Sequence, residues 1–285
     1  MNKNLLPQAA RLLACAIWLV VLFYSSANAE LLLHPTRIVL GEQNKTAHID
    51  IANTGPETAV YRVRWINLRM TETGELVHID SAAEPGAQFA DNLVSFSPRL
   101  ITLAPRSAQL VRLLAHKPSD ISHGEYRSHL LFERVANEAQ NSHIAALTAN
   151  LPTAESVHIQ VAALMNVTIP VIVRYGTGQV DVSIDDMIFH PAATSGEHAA
   201  VSFKLTRRGP YSSYGNIAVF FVSSSGETQP LANIDGIALY TPNTHRLMRL
   251  ELPHLPTEKG HLRVTYTLDP KHGDTPALQA EVTLP

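Results

Sequence analysis

Hydrophobic and polar positions alternate with a period of two along most of this chain, and the longest such stretch covers residues 158–174. Successive side chains of a β-strand point to opposite faces of the sheet, so the alternation predicts one long, half-buried strand. It is longer than the roughly 5–6 residues of an ordinary strand. Pro170 cannot donate a ladder hydrogen bond, which indicates either a sheet edge or the end of the strand. The apolar row consists of Ile159, Val161, Ala163, Met165, Val167 and Ile169.

Two interpretations of this strand are open at this point. It can be a central strand of the protein's own core, which is the ordinary role of an apolar row. It can also be an edge strand, and a long apolar edge aggregates unless it is covered or exists to be paired with another chain. Residues 136–156, just before it, carry few large apolar side chains and are predicted as a long loop, a feature that is usually functional or mobile.

Shorter runs of the same kind fill the rest of the chain and are separated by turn residues. The pair Thr73-Gly74, for example, is predicted as a hairpin tip. Repeated short strands with frequent turn signals predict an all-β fold made of antiparallel sandwiches. The predicted strands are 34–40, 46–53, 59–65, 75–79, two within 96–114 around Ala104-Pro105, 125–135, 180–184, 199–205, 216–222, 261–268 and 277–284.

The domain organisation follows from where this pattern is interrupted. Tyr175-Gly176-Thr177-Gly178 is the best candidate for an interdomain hinge, since two glycines in four residues leave the backbone free to bend. We therefore expect a first sandwich over residues 30–175 and a second, smaller one over 176–285. Two domains of about 100–150 residues suit a chain of this length.

Residues 1–29 have the composition of a secretory signal peptide. Lys3 and Arg11 give a positive start, residues 12–23 are apolar, and Ala27-Asn28-Ala29 offers a cleavage site. An apolar run of 12 residues is too short for a usual membrane span of about 20. The sequence therefore predicts an exported protein without stable membrane insertion.

The cysteine content and the net charge limit further the classes of protein to which this chain can belong. Cys15 is the only cysteine, so after cleavage the chain has no disulfide and is held together by burial alone. The net charge of −3 becomes −5 once Lys3 and Arg11 are removed. A negative chain without a basic cluster gives no support to nucleic-acid binding.

Catalytic and metal-binding patterns are absent from the sequence. His123 and His129 come nearest to a zinc-protease motif, but on a strand they lie about 20 Å apart and cannot bind one ion. Ser223-Ser224-Ser225-Gly226 lacks the first glycine of a nucleophile elbow. Asp185 and Asp186 are adjacent on a strand and face opposite ways. We therefore expect neither an enzyme nor a metal or other cofactor.

Arg37 is the polar residue most suited to binding a ligand. It lies at the start of an apolar run, next to Pro35 and Thr36. A surface arginine is the ordinary interpretation of such a residue. A fixed guanidinium in a cleft would instead be suited to gripping a carboxylate with two parallel hydrogen bonds.

Together these segments resemble the PapD-like periplasmic pilus-chaperone family. The similarity covers residues 31–174 well, whereas the second half matches only as a sandwich of the expected size. The order and spacing of the motifs, together with the signal peptide, carry the resemblance. The motifs are P-T-R-I-V-L at 35–40, I-D-I-A-N-T-G at 49–55, F-S-P-R-L-I-T-L-A-P at 96–105, Q-L-V-R at 109–112, E-Y-R-S-H-L-L-F at 125–132 and I-P-V-I-V-R at 169–174.

The resemblance implies two Ig-like domains joined at an angle, with a subunit-binding cleft between them. In this family the long edge strand of the first domain lends alternate apolar side chains to an incomplete sandwich of the pilus subunit. By position the donors here are Ile159, Val161, Ala163 and Met165, of which Ala163 fills less space than the aliphatic residues common in the family.

The resemblance also implies an anchor for the subunit's terminal carboxylate, made of an arginine and a lysine. The arginine corresponds to Arg37, but Pro170 stands at the lysine position, and the nearest basic residue of the strand is Arg174. Arg37 acting alone, a contribution from Arg174 or another residue, and a different docking mode are all open. A short-loop or long-loop subtype is not assigned.

The resulting expectation is a non-enzymatic periplasmic chaperone that binds, folds and caps pilus or fimbrial subunits by donating a strand. Its partners would be those subunits and an outer-membrane usher, to which it delivers them. The alternative is an exported two-domain Ig-like protein that serves in adhesion or as an envelope scaffold.

Overall fold

The computed structural model of the protein describes residues 31–79, 86–135, 166–194, 196–269 and 278–283. The predicted signal peptide at 1–29 and the predicted loop at 136–156 lie outside these ranges. All regular structure within the ranges is β, in 18 strands without a helix, which confirms the all-β prediction. No helix among these residues is long and apolar enough to cross a membrane.

Eleven strands form the first sandwich and its attached hairpin. They are β1 (Leu31–His34), β2 (Ile38–Gly41), β3 (Thr46–Asn53), β4 (Ala59–Ile66), β5 (Leu68–Met70), β6 (Leu76–His78), β7 (Val94–Ser97), β8 (Leu100–Leu103), β9 (Ala108–Ala115), β10 (Gly124–Val135) and β11 (Asn166–Tyr175). One sheet has the order β1-β3-β9-β7, and the facing sheet has the order β2-β11-β10-β4-β8. All pairs are antiparallel except β2 with β11, which is parallel.

Apolar and polar residues that alternate in the sequence point to the inside and the outside of this sandwich, respectively. In β3, Ile49 and Ile51 are completely buried, whereas His48 and Asp50, which alternate with them, are exposed. Each such aliphatic side chain contributes about 1.5–3 kcal/mol through burial. The apolar row of β11 behaves in the same way in its described part, because Ile169 is 1% exposed and lies in the core.

Two predicted segments of the first domain divide differently from the expectation. The run 34–40 is not one strand, because β1 belongs to one sheet and β2 to the facing sheet, with Pro35, Thr36 and Arg37 between them. The stretch 96–114 contains three strands rather than two, since β7 and β8 also lie in opposite sheets. In both places a proline, Pro35 or Pro98, interrupts the ladder where the chain crosses between sheets.

Seven strands form the second sandwich. They are β12 (Asp181–His190), β13 (Ala199–Arg208), β14 (Ser213–Ser223), β15 (Thr228–Leu239), β16 (His245–Leu252), β17 (Gly260–Leu268) and β18 (Leu278–Thr283). The sheet orders are β12-β13-β16 and β15-β14-β17-β18. A separate apolar core, with Val201, Leu205 and Val219 completely buried, lies between them. Strands β15 and β16 have no counterpart among the predicted strands.

A buried carboxylate joins the two sandwiches. Glu125 of β10 has no exposed side-chain surface, and its Oε2 accepts a hydrogen bond from Nε of Arg174 at 2.9 Å. Across the junction, Glu125 also accepts hydrogen bonds from the backbone N–H of Ser212 at 3.0 Å, from the Ser212 hydroxyl and from the Thr241 hydroxyl at 3.3 Å. Arg174 in turn donates to the carbonyl of Ser212 at 3.0 Å. Both oxygens of Glu125 therefore accept hydrogen bonds besides the ion pair, and such additional bonds are needed to offset the desolvation cost of a buried pair.

The hairpin of β5 and β6 makes a second junction contact, and its tip lies at the predicted Thr73-Gly74. Its Glu72 carbonyl accepts from the N–H of Leu247 at 2.7 Å, which covers part of the open edge of β16. The Asn243 amide donates to the carbonyl of Met70 at 2.9 Å. Gly74 has a φ of +93°, and a side chain there would overlap the guanidinium of Arg246.

Candidate functional site

The candidate site lies on the outer face of the five-stranded sheet, where the second sandwich covers it. Side chains of β10 on this face are deeply buried even though they point away from the first core: Arg127 is 7% exposed and His129 is 0% exposed. A small apolar cluster of Met70, Ile172, Ala238 and Tyr240 covers them from both domains. Burial here therefore comes from domain docking rather than from either sandwich alone.

Arg37 is held at this face by two aromatic rings of the second domain. Because Ile38 and Leu40 point into the first core, the preceding Arg37 points outward. Its Cζ lies 4.6 Å from the ring centre of Tyr214 and 5.6 Å from that of Tyr240. Contacts of this kind contribute about 0.5–2 kcal/mol and fix the guanidinium plane.

The hydrogen-bond donors of Arg37 remain unused. Its Nε, Nη1 and Nη2 are all buried, and none has a hydrogen-bond partner in the part of the chain that the structure describes. Aromatic faces attract a cation but do not accept five N–H bonds. An unpaired buried guanidinium costs free energy until an anion supplies the missing acceptors. The arrangement is suited to binding a carboxylate.

A second guanidinium lies beside the same ring. The Cζ of Arg127 is 4.3 Å from the centre of Tyr240, and its Nη2 donates to the carbonyl of Thr241 at 3.5 Å. Burial lowers the pKa of Arg127, and the positive charge of Arg37 lowers it further. Arg127 was not predicted from the sequence, although its two-residue spacing from His129 on one strand placed both on the same face.

His129 contributes no charge to the site at neutral pH. Burial lowers its pKa to about 3, and the neighbouring Arg127 adds to this effect. Its ring meets Tyr240 edge to face at 6.4 Å. Neither ring nitrogen has a hydrogen-bond partner within the described ranges. The positive charge of the site therefore comes from Arg37 and Arg127.

Arg174, the other predicted anchoring residue, does not share this site. It lies four positions along β11 from Pro170, which is about 13 Å at roughly 3.3 Å per residue. Its Nε and Nη2 are bonded to Glu125 and to the carbonyl of Ser212. Its positive charge is neutralised within the domain junction.

An unpaired strand edge leads to Arg37. Residues 166–175 of β11 pair with β10 along their whole length, but β2 pairs with β11 only from Val171 to Arg174. From Asn166 to Pro170 the other edge of β11 has no ladder partner among the described residues. Pro170 thus marks the point where β11 changes from an edge strand to an internal one, and the strand continues beyond it.

The open edge and Arg37 lie on the same side of β11. The position next to this side of β11, which β2 fills from Ile38 to Gly41, is called here the lane of β2. Since β2 runs parallel to β11 and Ile38 lies opposite Val171, Arg37 stands where the lane of β2 becomes vacant. An extended chain in that lane would pass Asn166 and meet the guanidinium beside Pro170. The predicted donors Ile159, Val161, Ala163 and Met165 lie outside the described residues. In sequence they extend the face that Val167 and Ile169 turn toward the first core.

No protein-family model and no curated protein sequence matches this chain. Among solved structures, the chain is similar to the YadV chaperone, with 12% identity, a TM-score of 0.44 and coverage of 90% of this chain and 100% of that one. It is also similar to the SafB chaperone in complex with SafA pilin of Salmonella enterica, with 12% identity, a TM-score of 0.44 and coverage of 90% and 99%. A third is the CsuC–CsuE chaperone–tip adhesion subunit complex of Acinetobacter baumannii, with 11% identity, a TM-score of 0.43 and coverage of 89% and 98%.

These similar structures are of the kind that the sequence motifs predicted.

Proposed function

We propose that this protein is a periplasmic chaperone that captures pilus or fimbrial subunits by lending them the open edge of β11. Residues 30–175 and 176–285 act as its two domains after removal of residues 1–29. The observation that carries the proposal is the vacant lane beside Asn166–Pro170, which ends at the unpaired guanidinium of Arg37.

The direction of the captured strand follows from this lane. A chain whose terminal carboxylate meets Arg37 has its last residue beside Pro170, so its preceding residues run back along Asn166 and beyond. It is therefore parallel to β11, as β2 is in the same lane. Main-chain hydrogen bonds to the edge supply sequence-independent affinity, and the carboxylate fixes the register.

The donors Ile159, Val161, Ala163 and Met165 supply the apolar part of the interaction. On one face of an extended strand they can enter the open groove of an incomplete sandwich. At about 25 cal/mol per Å² of apolar surface, four such side chains contribute several kcal/mol. No nucleotide or metal is needed, because delivery to an outer-membrane usher can proceed by exchange of one strand for another.

Co-expression with candidate subunits in the periplasm, followed by pull-down, tests the proposal. Arg37→Ala and Val161→Asp should each reduce the recovered subunit at least tenfold, since the loss of one charge-assisted contact or the burial of one charge costs more than about 1.4 kcal/mol. Two matched controls are available. Arg112→Ala removes an exposed arginine of β9, and Gln160→Asp places the same charge at the neighbouring position, which alternates with Val161.

Undiminished capture by both Arg37→Ala and Val161→Asp would refute the chaperone mechanism. Correct export together with binding to a surface ligand, but to no subunit, would instead favour the adhesion or scaffold alternative.

A further inference from the structure

Two guanidiniums, those of Arg37 and Arg127, lie beside the ring of Tyr240. Both Arg37 and Arg127 are positively charged, and neither Cζ lies more than 5.6 Å from the centre of the Tyr240 ring. Bringing two like charges together in a buried place costs free energy unless an anion lies between or beside them.

The protein supplies acceptors to another buried arginine, Arg207. Arg207 is 5% exposed, and each of its three guanidinium nitrogens donates to a backbone carbonyl at 2.6–3.2 Å: those of Asn243, Gly209 and Tyr211. Arg127 is equally buried, yet its Nε and Nη1 have no acceptor in the described structure. Backbone carbonyls satisfy the guanidinium of Arg207, whereas two nitrogens of Arg127 still lack an acceptor among the described residues.

The nearby carboxylate offsets this charge only in part: burial lowers the pKa of Arg127 in spite of the opposing effect of Glu125. Glu125 lies on the same face of β10, two residues from Arg127, but its oxygens accept hydrogen bonds from Arg174, Ser212 and Thr241. His129, on the other side of Arg127, is neutral above its pKa of about 3. The cluster of Arg37 and Arg127 therefore carries two positive charges, and no carboxylate among the described residues is hydrogen-bonded to either guanidinium.

We propose that Arg127 is the second cation of the carboxylate site and acts with Arg37 on a single oxyanion. This inference rests on the proposed function, because the natural oxyanion would be the terminal carboxylate of the captured subunit. It also resolves the question raised by Pro170: the second positive charge comes from the neighbouring strand β10, opposite Ile172, instead of from β11. A carboxylate has two oxygens with about four lone-pair sites, enough to accept from two guanidiniums at once.

Side-chain NMR on the free protein tests this role directly. The ¹⁵N–¹H signals of arginine Nε are recorded during titration with sodium acetate at constant ionic strength, with sodium chloride as the reference salt. The Nε signals of Arg37 and Arg127, assigned with Arg37→Lys and Arg127→Lys, should shift together on one saturable curve. The Nε signal of Arg207 should stay in place, since its donors are already bonded.

Two further variants separate binding from folding. Arg127→Gln should weaken acetate binding at Arg37 about tenfold, in keeping with the loss of one charge-assisted hydrogen bond, while Arg127→Lys should restore part of it. A Gln variant that fails to fold is recognised by its amide spectrum, and the wild-type titration then decides alone.

A saturable shift of Arg37 without any shift of Arg127 would overturn the inference and leave the proposed function standing. No saturable shift at either arginine would overturn the two-cation site itself. The proposed function fails separately, if Arg37→Ala still captures subunits as wild type does.

Discussion

Removing the carboxylate of Glu125 should uncouple the two sandwiches. In the Glu125→Ala variant, Arg174 keeps its charge at a site where its side chain is 17% exposed, but it loses its carboxylate partner. The N–H and hydroxyl of Ser212 and the hydroxyl of Thr241 lose their acceptor at the same time. The perturbation therefore leaves one buried charge and several buried donors unpaired.

The expected loss of stability is about 3–5 kcal/mol, as is found when one partner of a buried ion pair is removed. Because each sandwich has its own core, the loss should fall on the docking of the domains rather than on the folding of either one. Calorimetry should show one cooperative transition in wild type and two separated transitions in Glu125→Ala. Urea unfolding, followed by the fluorescence of Trp65 and by circular dichroism, supplies the free energies.

Two control variants make this test specific. Glu133→Ala removes a glutamate of the same strand whose side chain is 30% exposed and pairs with Arg62 at 3.7 Å, so less than about 1 kcal/mol should be lost. Glu125→Gln keeps the shape and one acceptor and should lie between wild type and Glu125→Ala. A loss in Glu125→Ala no larger than that of Glu133→Ala would refute the reasoning that the buried carboxylate joins the domains.

Three other predictions concern single contacts. Asn53→Ala should lower the free energy of unfolding in urea by about 2–4 kcal/mol. The buried amide of Asn53 donates hydrogen bonds to the carbonyls of Glu57 and Leu103, and its Oδ1 accepts one from the N–H of Gly55. A loss as small as that of the exposed control Asn92→Ala would contradict this prediction. Asn243→Ala should lower the free energy of unfolding by about 1–2 kcal/mol and speed hydrogen exchange in the β5–β6 hairpin, since the hydrogen bonds from its side-chain amide to the carbonyls of Met70 and Thr71 disappear. Unchanged exchange there would show that the hairpin docks without these hydrogen bonds. Stability should also fall between pH 6.5 and 3, because unfolded His129 binds a proton with its ordinary pKa near 6.5, whereas the folded residue binds one only near a pKa of about 3. At 1.36 kcal/mol per pKa unit, the free energy of unfolding should fall by about 2–3 kcal/mol at pH 4.5. Urea unfolding of His129→Leu at pH 7 and 4.5 should show that this loss is absent from the variant. An identical pH dependence in the variant would disprove the assignment.

The sequence predicted most of the first domain because its strands alternate cleanly. Strands such as β3 and β4 have one buried and one exposed face, so period-two patterning determines both their bounds and their orientation. Strand β16 was missed although Met248, Leu250 and Leu252 are buried alternately, because the exposed Leu247 breaks the pattern next to Met248. Strand β15 is mostly exposed and offers no such alternation.

By itself, the sequence determined the all-β class. It also predicted a long strand up to residue 174, of which the described part is β11, and it predicted Arg37 as a candidate carboxylate ligand. Only the tertiary structure decided which arginines lie beside the ring of Tyr240. Arg174 lies nearer to Pro170 along the chain, but the fold pairs it with Glu125 and brings Arg127 of another strand to the Tyr240 ring. Separation along the sequence describes distances within one strand. Charged side chains, however, also meet across neighbouring strands and across the domain junction, where docking buries them and determines their partners.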